Sequence, residues 1–560
     1  MKSNKTILGI NYGGHDTSAA LMINGQLVAA CEEERYIKTK HTRIFPVNAI
    51  NDCLAIGGIT IEDVDRVAFA YKPDILLDYD GPIRQMRRDL LTEEEFSALL
   101  EEKTCYTGQV DFHQHHLTHL ASAYYPSGFS EALLMSNDGV GEIVCSMYGS
   151  GRDGKIKILS TENEWPNSLG LLYSAVTFYL GWQPMYDEGI VMGLAPLGDS
   201  SELVPDTDRS YLDFFREIIF SSSDYGVTIN TDWISFHAVR SKFVSDQFME
   251  VFGPKKEWED PVTPHHQNIA AAAQDRLEEI VLAQLKKARK EFGLSRLCIA
   301  GGVGLNCSLN GKIVQNKIFD EVFVQPGAGD NGTAIGAAYL SHQILDPTLQ
   351  PRRDHNFYLG TSQTPEQIQT YLDRNQLKYI RLQGDFKIVA QRLTERKIVG
   401  WFQGRAEFGP RALGNRSILT APFPADIKDH INARVKFREP FRPFAPAVMK
   451  EKAAKYFEIE QESPHMLMAV QVRPEREEDI PAVIHVDGSA RVQTVGHTNN
   501  PQFRNLLEEF YIKTGCPVLL NTSFNVKGQP IVNDIHDAVE CFLGTNIDIL
   551  VAGDFMVEKE

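Results

Sequence analysis

The N-terminal stretch alternates short apolar runs with glycine-containing polar turns, a pattern typical of β-strands joined by tight loops. Residues 7–12 and 18–23 are the first two apolar runs, and a third covers residues 27–31. Between the second and third runs stands Asn24-Gly25, the dipeptide that most strongly favours a two-residue hairpin turn. The pattern therefore predicts a strand, a polar loop and then a β-hairpin.

A similar unit recurs further along the chain. Apolar residues 132–135 and 143–148 flank the polar turn Asn137-Asp138-Gly139. Two units of strand, acidic loop and hairpin predict an internal duplication. This arrangement resembles the actin/hexokinase class of ATP-binding folds, in which each half places an acidic residue of its first loop near phosphates and metal.

The middle of the chain predicts further elements of both kinds. Residues 268–292 have helical periodicity, and Thr263-Pro264 ahead of them is a plausible cap and first turn. Strands are predicted at 298–300 and 322–324, and a helix of small residues at 332–342.

A polar, proline-rich segment at residues 347–356 predicts a linker between two domains, 1–346 and 357–560. In the second domain helical patterns alternate with apolar runs, which predicts an α/β or α+β domain. The helices are predicted at 364–375 and 386–395, and the strands at 397–401, 518–520 and 549–552.

Composition narrows the class of protein. A chain of 560 residues exceeds one compact core, so two or more domains are expected. The formal net charge of −18 disfavours a nucleic acid as the main partner. Neither a signal peptide nor a run of about 20 apolar residues is visible, so we expect a cytoplasmic protein without a membrane partner. The eight cysteines form no C-x-x-C pair, which favours reduced thiols.

Four residues are candidate metal ligands. His115 and His119 are one helical turn apart, the spacing that lets two imidazoles share one ion. Asp138 follows an apolar strand, and Asp330 lies in a glycine-rich loop after another. Two histidines with carboxylates suit Fe(II), Zn or Mn. The alternatives are a polar helix face for the histidines and a helix N-cap for Asp330.

A glycine-rich turn at Gly301, Gly302 and Gly304, followed by Asn306, is a candidate nucleotide cradle. It is neither a P-loop nor a dinucleotide-binding fingerprint. Lys40 and His41 could supply positive charge for phosphates. The preceding run Glu32–Arg35 could equally be a solvated charged turn.

Arginines, aromatics, glycines and prolines are interleaved at residues 404–417 and 434–444, a density that is hard to explain as a solvated surface in an acidic protein. Guanidinium groups suit phosphate, so the cluster predicts an anion site, although any single residue could form a structural salt bridge. Single-stranded nucleic acid is a less favoured ligand, given the net charge. The candidate anion contacts are Arg411, Arg416, Lys436, Arg438, Arg442, Arg491, Asn521 and Lys527.

Eight ordered motifs together resemble one family, that of the nodulation-factor and antibiotic O-carbamoyltransferases. They are GHDTSAAL (14–21), EEER (32–35), HHLTHLASAYY (115–125), MGLAPLG (192–198), GGVGLN (301–306), GRAEFGPRALGNRS (404–417), RPFAP (442–446) and LNTSFN (520–525). The resemblance implies a duplicated actin/hexokinase-like (ASKHA) N-terminal domain and a smaller α/β, YrdC-like C-terminal domain.

The resemblance also implies an activity. The C-terminal domain of such enzymes converts carbamoyl phosphate and ATP into carbamoyladenylate, with Mg as a further candidate cofactor. The N-terminal domain then transfers the carbamoyl group to a hydroxyl of a small-molecule acceptor and releases AMP. His115, His119, Asp138 and Asp330 would bind the metal, expected to be iron.

A general base is needed to activate the acceptor hydroxyl, and His15 is our candidate, with Asp16 orienting it or binding a water. The alternative for His15 is a histidine that only closes a turn. One position departs from the family pattern, because Ile190 stands where a lysine is usual. The acceptor or nucleotide pocket of this chain is therefore expected to differ.

Two other functions stay open from the sequence. One is a phosphotransferase of the actin/hexokinase class, which would release ADP rather than AMP and pyrophosphate. The other is a non-catalytic sensor that binds metal and nucleotide. The acceptor is open among sugar, aminocyclitol, polyketide and alkaloid alcohols, and a homodimer is possible.

Overall fold

A computed structural model describes residues 5–87, 89–239, 241–354 and 356–559. The strands are β1 (Thr6–Asn11), β2 (Ser18–Ile23), β3 (Gln26–Glu32), β4 (Arg66–Phe69), β5 (Gln109–Phe112), β6 (Glu131–Asn137), β7 (Ser146–Arg152), β8 (Lys155–Ser160), β9 (Ile219–Ser221), β10 (Val227–Ile229), β11 (Arg296–Ala300), β12 (Glu321–Val324), β13 (Ile380–Arg381), β14 (Val399–Phe402), β15 (Arg416–Thr420), β16 (Ala445–Met449), β17 (Ala469–Gln471), β18 (Ser489–Arg491), β19 (Gln493–Val495), β20 (Val518–Ser523), β21 (Ile549–Ala552) and β22 (Phe555–Glu558). The α-helices are α1 (Glu34–Ile37), α2 (Val47–Gly57), α3 (Pro82–Met86), α4 (Glu93–Thr104), α5 (His115–Ser127), α6 (Leu169–Tyr179), α7 (Glu188–Leu194), α8 (Tyr211–Ile218), α9 (Asp246–Phe252), α10 (Pro264–Phe292), α11 (Cys307–Gln315), α12 (Thr333–Leu345), α13 (Pro365–Arg374), α14 (Lys387–Thr394), α15 (Ile427–Ile431), α16 (Ala453–Tyr456), α17 (Pro501–Thr514) and α18 (Ile535–Gly544).

The predicted duplication is confirmed by strand topology. The first sheet has the order β3-β2-β1-β4-β5, and the second has the order β8-β7-β6-β11-β12. In each sheet the first three strands in sequence are antiparallel neighbours, and the other two are added in parallel. The two halves thus share one topology, with β6 in the place of β1. This is the mixed α/β architecture expected of a duplicated actin/hexokinase-like domain.

Local sequence signals set most of these elements where they were predicted. The hairpin between β2 and β3 turns at Asn24 and Gly25, both of which have positive φ angles. Thr263 and Pro264 open α10, and Gly293 ends it in the left-handed conformation. The strand predicted at 143–148 begins only at Ser146, because residues 138–145 form a tight loop closed by backbone hydrogen bonds.

Two glycines allow three elements of the first domain to pack in direct backbone contact. A Cβ atom on Gly9 of β1 would overlap the carbonyl oxygen of Ala334 in α12. A Cβ atom on Gly336 of α12 would overlap the carbonyl oxygen of Thr118 in α5. Strand β1 and helices α12 and α5 therefore touch backbone to backbone, with no side chain between them.

Between β8 and α10 the chain makes an excursion that includes helices α6 to α9 and the small β9–β10 hairpin. Its aromatic residues pack with α10 and with β11 and β12 in one hydrophobic core. Sequence patterns did not predict this lobe, since its helices are short.

The C-terminal part is built on an eight-stranded mixed sheet of order β13-β22-β21-β14-β15-β20-β16-β19. Helices α14 and α17 pack against each other beside this sheet, and the apolar side chains form a separate core. The predicted α/β character is confirmed, whereas the YrdC-like relationship stays a prediction.

The domain boundaries predicted at 1–346, 347–356 and 357–560 also stay predictions. Backbone hydrogen bonds join Arg352 and Asp354 to the end of α5, and Phe357 packs in an N-terminal core. His355 of the predicted linker lies outside the described residues. Within the described residues, no helix combines the length and apolar character that crossing a bilayer requires.

Candidate metal centre and interdomain anion site

The four predicted metal ligands meet at the junction of the two halves of the first domain. His115 and His119 lie one turn apart on α5, Asp138 follows β6, and Asp330 begins a 3-10 turn before α12. The Nε2 atoms of the two histidines are 3.1 Å apart. Each Nε2 atom lies 3.4–3.8 Å from Oδ2 of Asp138 and Oδ1 of Asp330. All four side chains are buried.

This donor set fits a divalent cation. Two imidazole nitrogens and two carboxylate oxygens converge on one point, and their ligand atoms all lie within 4.8 Å of one another. Imidazole with carboxylate is a set that Fe(II), Zn and Mn accept. Bringing two buried carboxylates this close costs free energy unless a cation or protons balance them.

Neighbouring groups fix the orientation of both carboxylates. The backbone N–H of Gly302 donates to Oδ1 of Asp138 at 2.8 Å, which leaves Oδ2 facing the imidazoles. The hydroxyl of Tyr71 donates to Oδ2 of Asp330 at 3.2 Å, which leaves Oδ1 facing them. The ring of Tyr71 also stacks on His115, with centroids 4.4 Å apart. Each carboxylate therefore presents one oxygen to the same point.

Helix α5 is anchored by a carboxylate from the other half of the domain. Its N-cap residue, Gln114, makes no side-chain capping bond. Instead, Glu142 accepts hydrogen bonds from the backbone N–H groups of His115, at 3.1 Å, and Lys72, at 2.8 Å. Glu142 is fully buried and caps the start of α5, although it is distant from that helix in sequence.

Electrostatics distinguish the histidines of this helix. Burial disfavours the charged form of His115, but Asp330 and Asp138 outweigh it and raise its pKa to about 9. Burial, together with the neighbouring His115 and His119, holds the pKa of His116 well below its usual value. His116 is bonded to the hydroxyl of Ser136 at 2.8 Å and stays outside the metal cluster.

His15 and Asp16 lie beside the cluster and form a three-residue network. Nδ1 of His15 is 2.8 Å from Oδ2 of Asp16, and Nδ1 of His41 is 2.7 Å from Oδ1 of the same carboxylate. Burial disfavours the charged form of His15, but Asp330 and Asp16 raise its pKa to about 10. Asn11 holds this loop by donating to the carbonyl groups of residues 15 and 16.

The predicted nucleotide-cradle glycines adjoin the same centre. Gly301 has a φ of +85°, and a Cβ atom there would overlap the backbone of Asn137. Gly304 packs against Ala328, and Asn306 caps α11 through a bond to the backbone N–H of Leu309 at 3.0 Å. The close approach of β6 and its following loop accounts for Gly301 without a nucleotide, so the nucleotide role of this turn stays a prediction.

A second group of charges lies between the two domains and is mainly basic. We call Arg411, Arg438, Arg442 and Arg491 the guanidinium cluster; one carboxylate, Glu439, lies 3.4 Å from Arg442. Burial, followed by repulsion from neighbouring guanidinium groups, lowers the pKa of Arg411 and of Arg438 to about 9. The charge of Arg442 also acts on Arg491 and on Lys40 from the first domain.

The cluster has unmet hydrogen-bonding capacity. Among the described residues, the buried Nε atoms of Arg411, Arg438 and Arg491 have no hydrogen-bond partner. Lys40 is exposed to solvent at its surface, and partial desolvation by the protein around it lowers its pKa. Because arginine keeps its proton in proteins, the lowered pKa values express the cost of holding these charges away from water and, next, their mutual repulsion. A multiply charged anion would relieve it.

Other predicted anion contacts lie in the walls of this region. Arg416 is fully buried, stacks on Phe402 and donates to backbone carbonyl groups, including that of Gln403 at 2.6 Å. The ammonium of Lys436 is held by Asn525, whose Oδ1 is 2.8 Å away, and by Ser523. These two side chains shape the loops on which the cluster stands.

Asn521 and Lys527 are placed differently. Asn521 is buried and donates to Gln493 at 2.9 Å and to the carbonyl of Ala412 at 3.2 Å. Lys527 is exposed, lies 3.7 Å from Glu439 and sits over the ring of Trp258. The structure therefore brings neither into the guanidinium cluster itself.

Several residues that support these sites were missed from the sequence. The roles of Tyr71 and Glu142 could not be predicted from the sequence, because each contacts a candidate ligand or a helix that is distant along the chain. Glu407 accepts hydrogen bonds from the backbone of Leu413, Asn415 and Arg416 through one oxygen and so organises the arginine loop. The available sequence signal for Glu407 was an acidic residue standing among the glycines and arginines of residues 404–417.

Comparison with protein families gives two matches. A family described as "Carbamoyltransferase N-terminus" matches residues 6–79 and 85–339, and "Carbamoyltransferase C-terminus" matches residues 390–559. An uncharacterized protein of Synechocystis is 38% identical over 99% of this chain and 96% of its own length. The nodulation protein NolNO of Sinorhizobium fredii is 37% identical over 97% of this chain and 79% of its own.

A third relative has a named activity. The 3'-hydroxymethylcephem-O-carbamoyltransferase of Streptomyces clavuligerus is 34% identical over 66% of this chain and 64% of its own length. Among solved structures, HypF of T. kodakarensis shares 13% identity with a TM-score of 0.34, over 62% of this chain and 49% of that one. A ROK-family glucokinase of Streptomyces griseus shares 15% identity with a TM-score of 0.30, over 60% of this chain and 99% of that one.

Proposed function

The chain belongs to the carbamoyltransferase family, and from that premise we propose that it is an O-carbamoyltransferase that makes and consumes carbamoyladenylate. It is an enzyme of the carbamoyltransferase class. The observation that carries the finer proposal is the guanidinium cluster, a set of half-buried, mutually repelling cations that lies between the domains. Such a cluster suits an anionic substrate pair better than an uncharged one.

In the first half of the reaction, Arg411, Arg438, Arg442 and Arg491, with Lys40, neutralise carbamoyl phosphate and the phosphates of ATP. Water cleaves carbamoyl phosphate to carbamate and phosphate. A carbamate oxygen then attacks the α-phosphorus of ATP, and the bond to the β-phosphate breaks to release pyrophosphate. Arg416, Lys436, Asn521 and Lys527 act by holding the loops and the rim around these ligands.

In the second half, the acceptor hydroxyl oxygen attacks the carbamoyl carbon and the C–O bond to AMP breaks. His15 takes the hydroxyl proton in its neutral form, and Asp16 orients its imidazole through Nδ1. A cation held by Asp330 would favour that neutral form, because it would compensate the carboxylate charge that raises the pKa of His15. His115, His119, Asp138 and Asp330 would hold a divalent metal, for which we propose Fe(II). When bound, such an ion supplies Lewis-acid polarisation of a carbonyl or phosphate oxygen.

The acceptor we propose is a hydroxyl group of a small molecule, such as a sugar or another metabolite. The named activity of the Streptomyces clavuligerus relative supports a hydroxyl acceptor. Ile190 is buried in the lobe between β8 and α10, so this chain has an apolar wall where the family pattern has a lysine. We propose that this lobe lines the acceptor pocket, with Gly301, Gly302, Gly304 and Asn306 on the nucleotide side.

The partitioning of the chain is also part of the proposal. Residues 1–346 carry out transfer, residues 347–356 connect, and residues 357–560 form carbamoyladenylate. We propose that the enzyme works in the cytoplasm, possesses no nucleic-acid or membrane partner, and uses Mg with ATP. A homodimer is compatible with this division of the chain into two domains.

The decisive experiment is to incubate the protein with ATP and carbamoyl phosphate in the absence of acceptor. Adenylation predicts pyrophosphate formation, and exchange of labelled pyrophosphate into ATP, both dependent on carbamoyl phosphate. Adding a panel of hydroxylated metabolites should then produce AMP and a product heavier by one carbamoyl group. ADP in place of AMP would indicate a phosphotransferase, and binding of both ligands without turnover across the panel would indicate a sensor.

A further inference from the structure

The charged run Glu32–Arg35 is buried where the two domains meet, although its sequence is also compatible with a solvated turn. Glu32, Glu33 and Arg35 are all less than 9% exposed. Glu33 is accounted for locally, since it accepts hydrogen bonds from Asn48 at 2.6 Å and from the backbone of Ala49 at 2.8 Å. Glu32 and Arg35 face in another direction and contact both reactive regions.

Glu32 joins two loops through its two carboxylate oxygens. Oε1 accepts from the side chain of Asn331 at 2.6 Å, and Asn331 directly follows the candidate metal ligand Asp330. Oε2 accepts from the backbone N–H of Gly409 at 3.2 Å, and Gly409 lies two residues before Arg411 of the guanidinium cluster. One buried carboxylate thus bridges the metal loop and the arginine loop.

Arg35 closes the same bridge with a second set of bonds. Its Nη2 lies 2.6 Å from Oε2 of Glu32 and donates to the carbonyl oxygen of Gly409 at 2.9 Å. Both backbone groups of Gly409 are therefore tied to this pair. The hydroxyl of Ser18 donates to the carbonyl of Asn331 at 2.8 Å and fixes the other end.

The two loops also touch each other directly beside this bridge. Gly409 has a φ of +107°, and a Cβ atom there would lie 2.7 Å from the carbonyl oxygen of Pro326, in the metal loop. A Cβ atom on Gly327 would lie 2.7 Å from the ring of Phe408. With no slack between them, a displacement of either loop has to move the other.

From this geometry we propose that Glu32 and Arg35 are positioning residues that couple the two sites, so that carbamoyl phosphate in the guanidinium cluster strengthens metal binding by His115, His119, Asp138 and Asp330, and the metal strengthens carbamoyl phosphate binding. This coupling rests on the proposed function. It would make the transfer site most complete when the activated intermediate is being formed.

The sign of the coupling follows from what each ligand does. A ligand that binds either loop restricts its motion, and the shared bridge passes that restriction to the other loop, so the second ligand has less ordering left to do. Coupling free energies of this kind change an affinity by about 5- to 150-fold, and the two directions are equal by thermodynamic necessity. We expect at least about a fivefold effect.

The test is titration calorimetry of metal-free protein with Mn²⁺, with and without phosphonoacetamide, a stable analogue of carbamoyl phosphate. The wild type should bind Mn²⁺ at least fivefold more tightly with the analogue present, and the reverse titration should give the same factor. Glu32→Gln keeps the acceptor for Asn331 but loses the acceptor for Gly409 and the charge opposite Arg35. This variant should bind both ligands with a coupling factor below about twofold.

Glu33→Gln is the matched control, because it neutralises an equally buried carboxylate of the same run that contacts neither loop. It should keep the wild-type coupling factor. Independent binding of the two ligands by the wild type would overturn the inference while leaving the proposed function intact, and needs no variant to fold. Full coupling in Glu32→Gln would likewise overturn it. A wild type that binds neither ligand would remove the proposed function and the inference together.

Discussion

The two charged centres of this protein are built in opposite ways. In the candidate metal centre, opposite charges converge, and Gly302, Tyr71 and Glu142 anchor the parts of the four residues that face away from their common point. In the guanidinium cluster positive charges are in excess, with Glu439 paired to Arg442 at 3.4 Å, and buried Nε atoms of Arg411 and Arg491 lack partners. The first arrangement suits a resident ion, and the second suits a ligand that arrives and leaves in each turnover.

The largest predicted effect comes from removing one ligand of the candidate metal centre, which tests whether the two centres bind different ligands. His119→Ala should weaken Mn²⁺ binding by more than about 100-fold, because loss of a direct ligand exceeds the 10- to 100-fold cost of changing a supporting residue. Carbamoyl-phosphate-dependent pyrophosphate exchange should continue, since the guanidinium cluster stays in place. His116→Asn, on the same helix but outside the cluster, is the control and should bind Mn²⁺ normally.

A complementary change addresses the guanidinium cluster. The double variant Arg411→Ala/Arg491→Ala should lower the affinity for carbamoyl phosphate by at least about 100-fold, since hydrogen bonds to charged groups are each worth about 1.5–3 kcal/mol. Its Mn²⁺ affinity without the anion should not change. Arg434→Ala, which removes an arginine paired with Asp548, is the control. Unchanged carbamoyl phosphate affinity in the double variant would contradict the proposed anion site.

A smaller change tests whether anchoring matters in the metal centre. Tyr71→Phe keeps the ring that stacks on His115 but removes the hydroxyl that bonds Asp330. Supporting residues of metal sites contribute about 10- to 100-fold to affinity, and we expect about tenfold here because the ring remains. Mn²⁺ titration measures it. Retention of full affinity would show that the carboxylate is held by other contacts.

The last prediction, a pH dependence, needs no variant. The pKa of His115 in the metal-free protein is raised to about 9, so a proton has to leave before the nitrogen can bind a metal. Mn²⁺ affinity should therefore rise with pH, by at most about tenfold per unit, and level off above pH 9.

The same protonation gives an independent check on stability. Because the folded pKa of His115 lies above its ordinary value of 6.5, its stabilising contribution is full below pH 6.5 and is lost as pH rises towards 9. Thermal unfolding of the metal-free protein should show this decline, and saturating Mn²⁺ should abolish it. A metal affinity that is constant from pH 6.5 to 9 would contradict the assignment.

Local patterns were sufficient to predict a large part of the fold. Asn24-Gly25 fixed the hairpin, Thr263-Pro264 fixed the start of α10, and the recurrence around Asp138 indicated the duplication. Each of these signals acts over a few neighbouring residues, where turn and cap chemistry leaves little choice. The spacing of His115 and His119 belongs to the same kind of signal.

What could not be predicted depends on contacts between distant segments. The sequence did not reveal that Glu142 caps α5 or that Tyr71 bonds Asp330, because these partners are 27 and 259 residues apart. The sequence also could not show which arginines form the guanidinium cluster and which have a structural role. Arg411 lies in a loop and Arg416 begins β15 five residues later, but only the fold places the first in the guanidinium cluster and the second among carbonyl groups.

The direct backbone contacts at Gly9 and Gly336 carry a consequence for tolerance to change. Where side chains separate two elements, a rotamer shift can absorb a substitution or a thermal displacement. Here β1, α12 and α5 have no side chains between them that could adjust. His15 after β1, Asp330 before α12 and His115 at the start of α5 are therefore held at fixed distances from one another. One methyl group added at either glycine would be felt as a change in spacing between the reactive atoms, even though neither position touches a ligand.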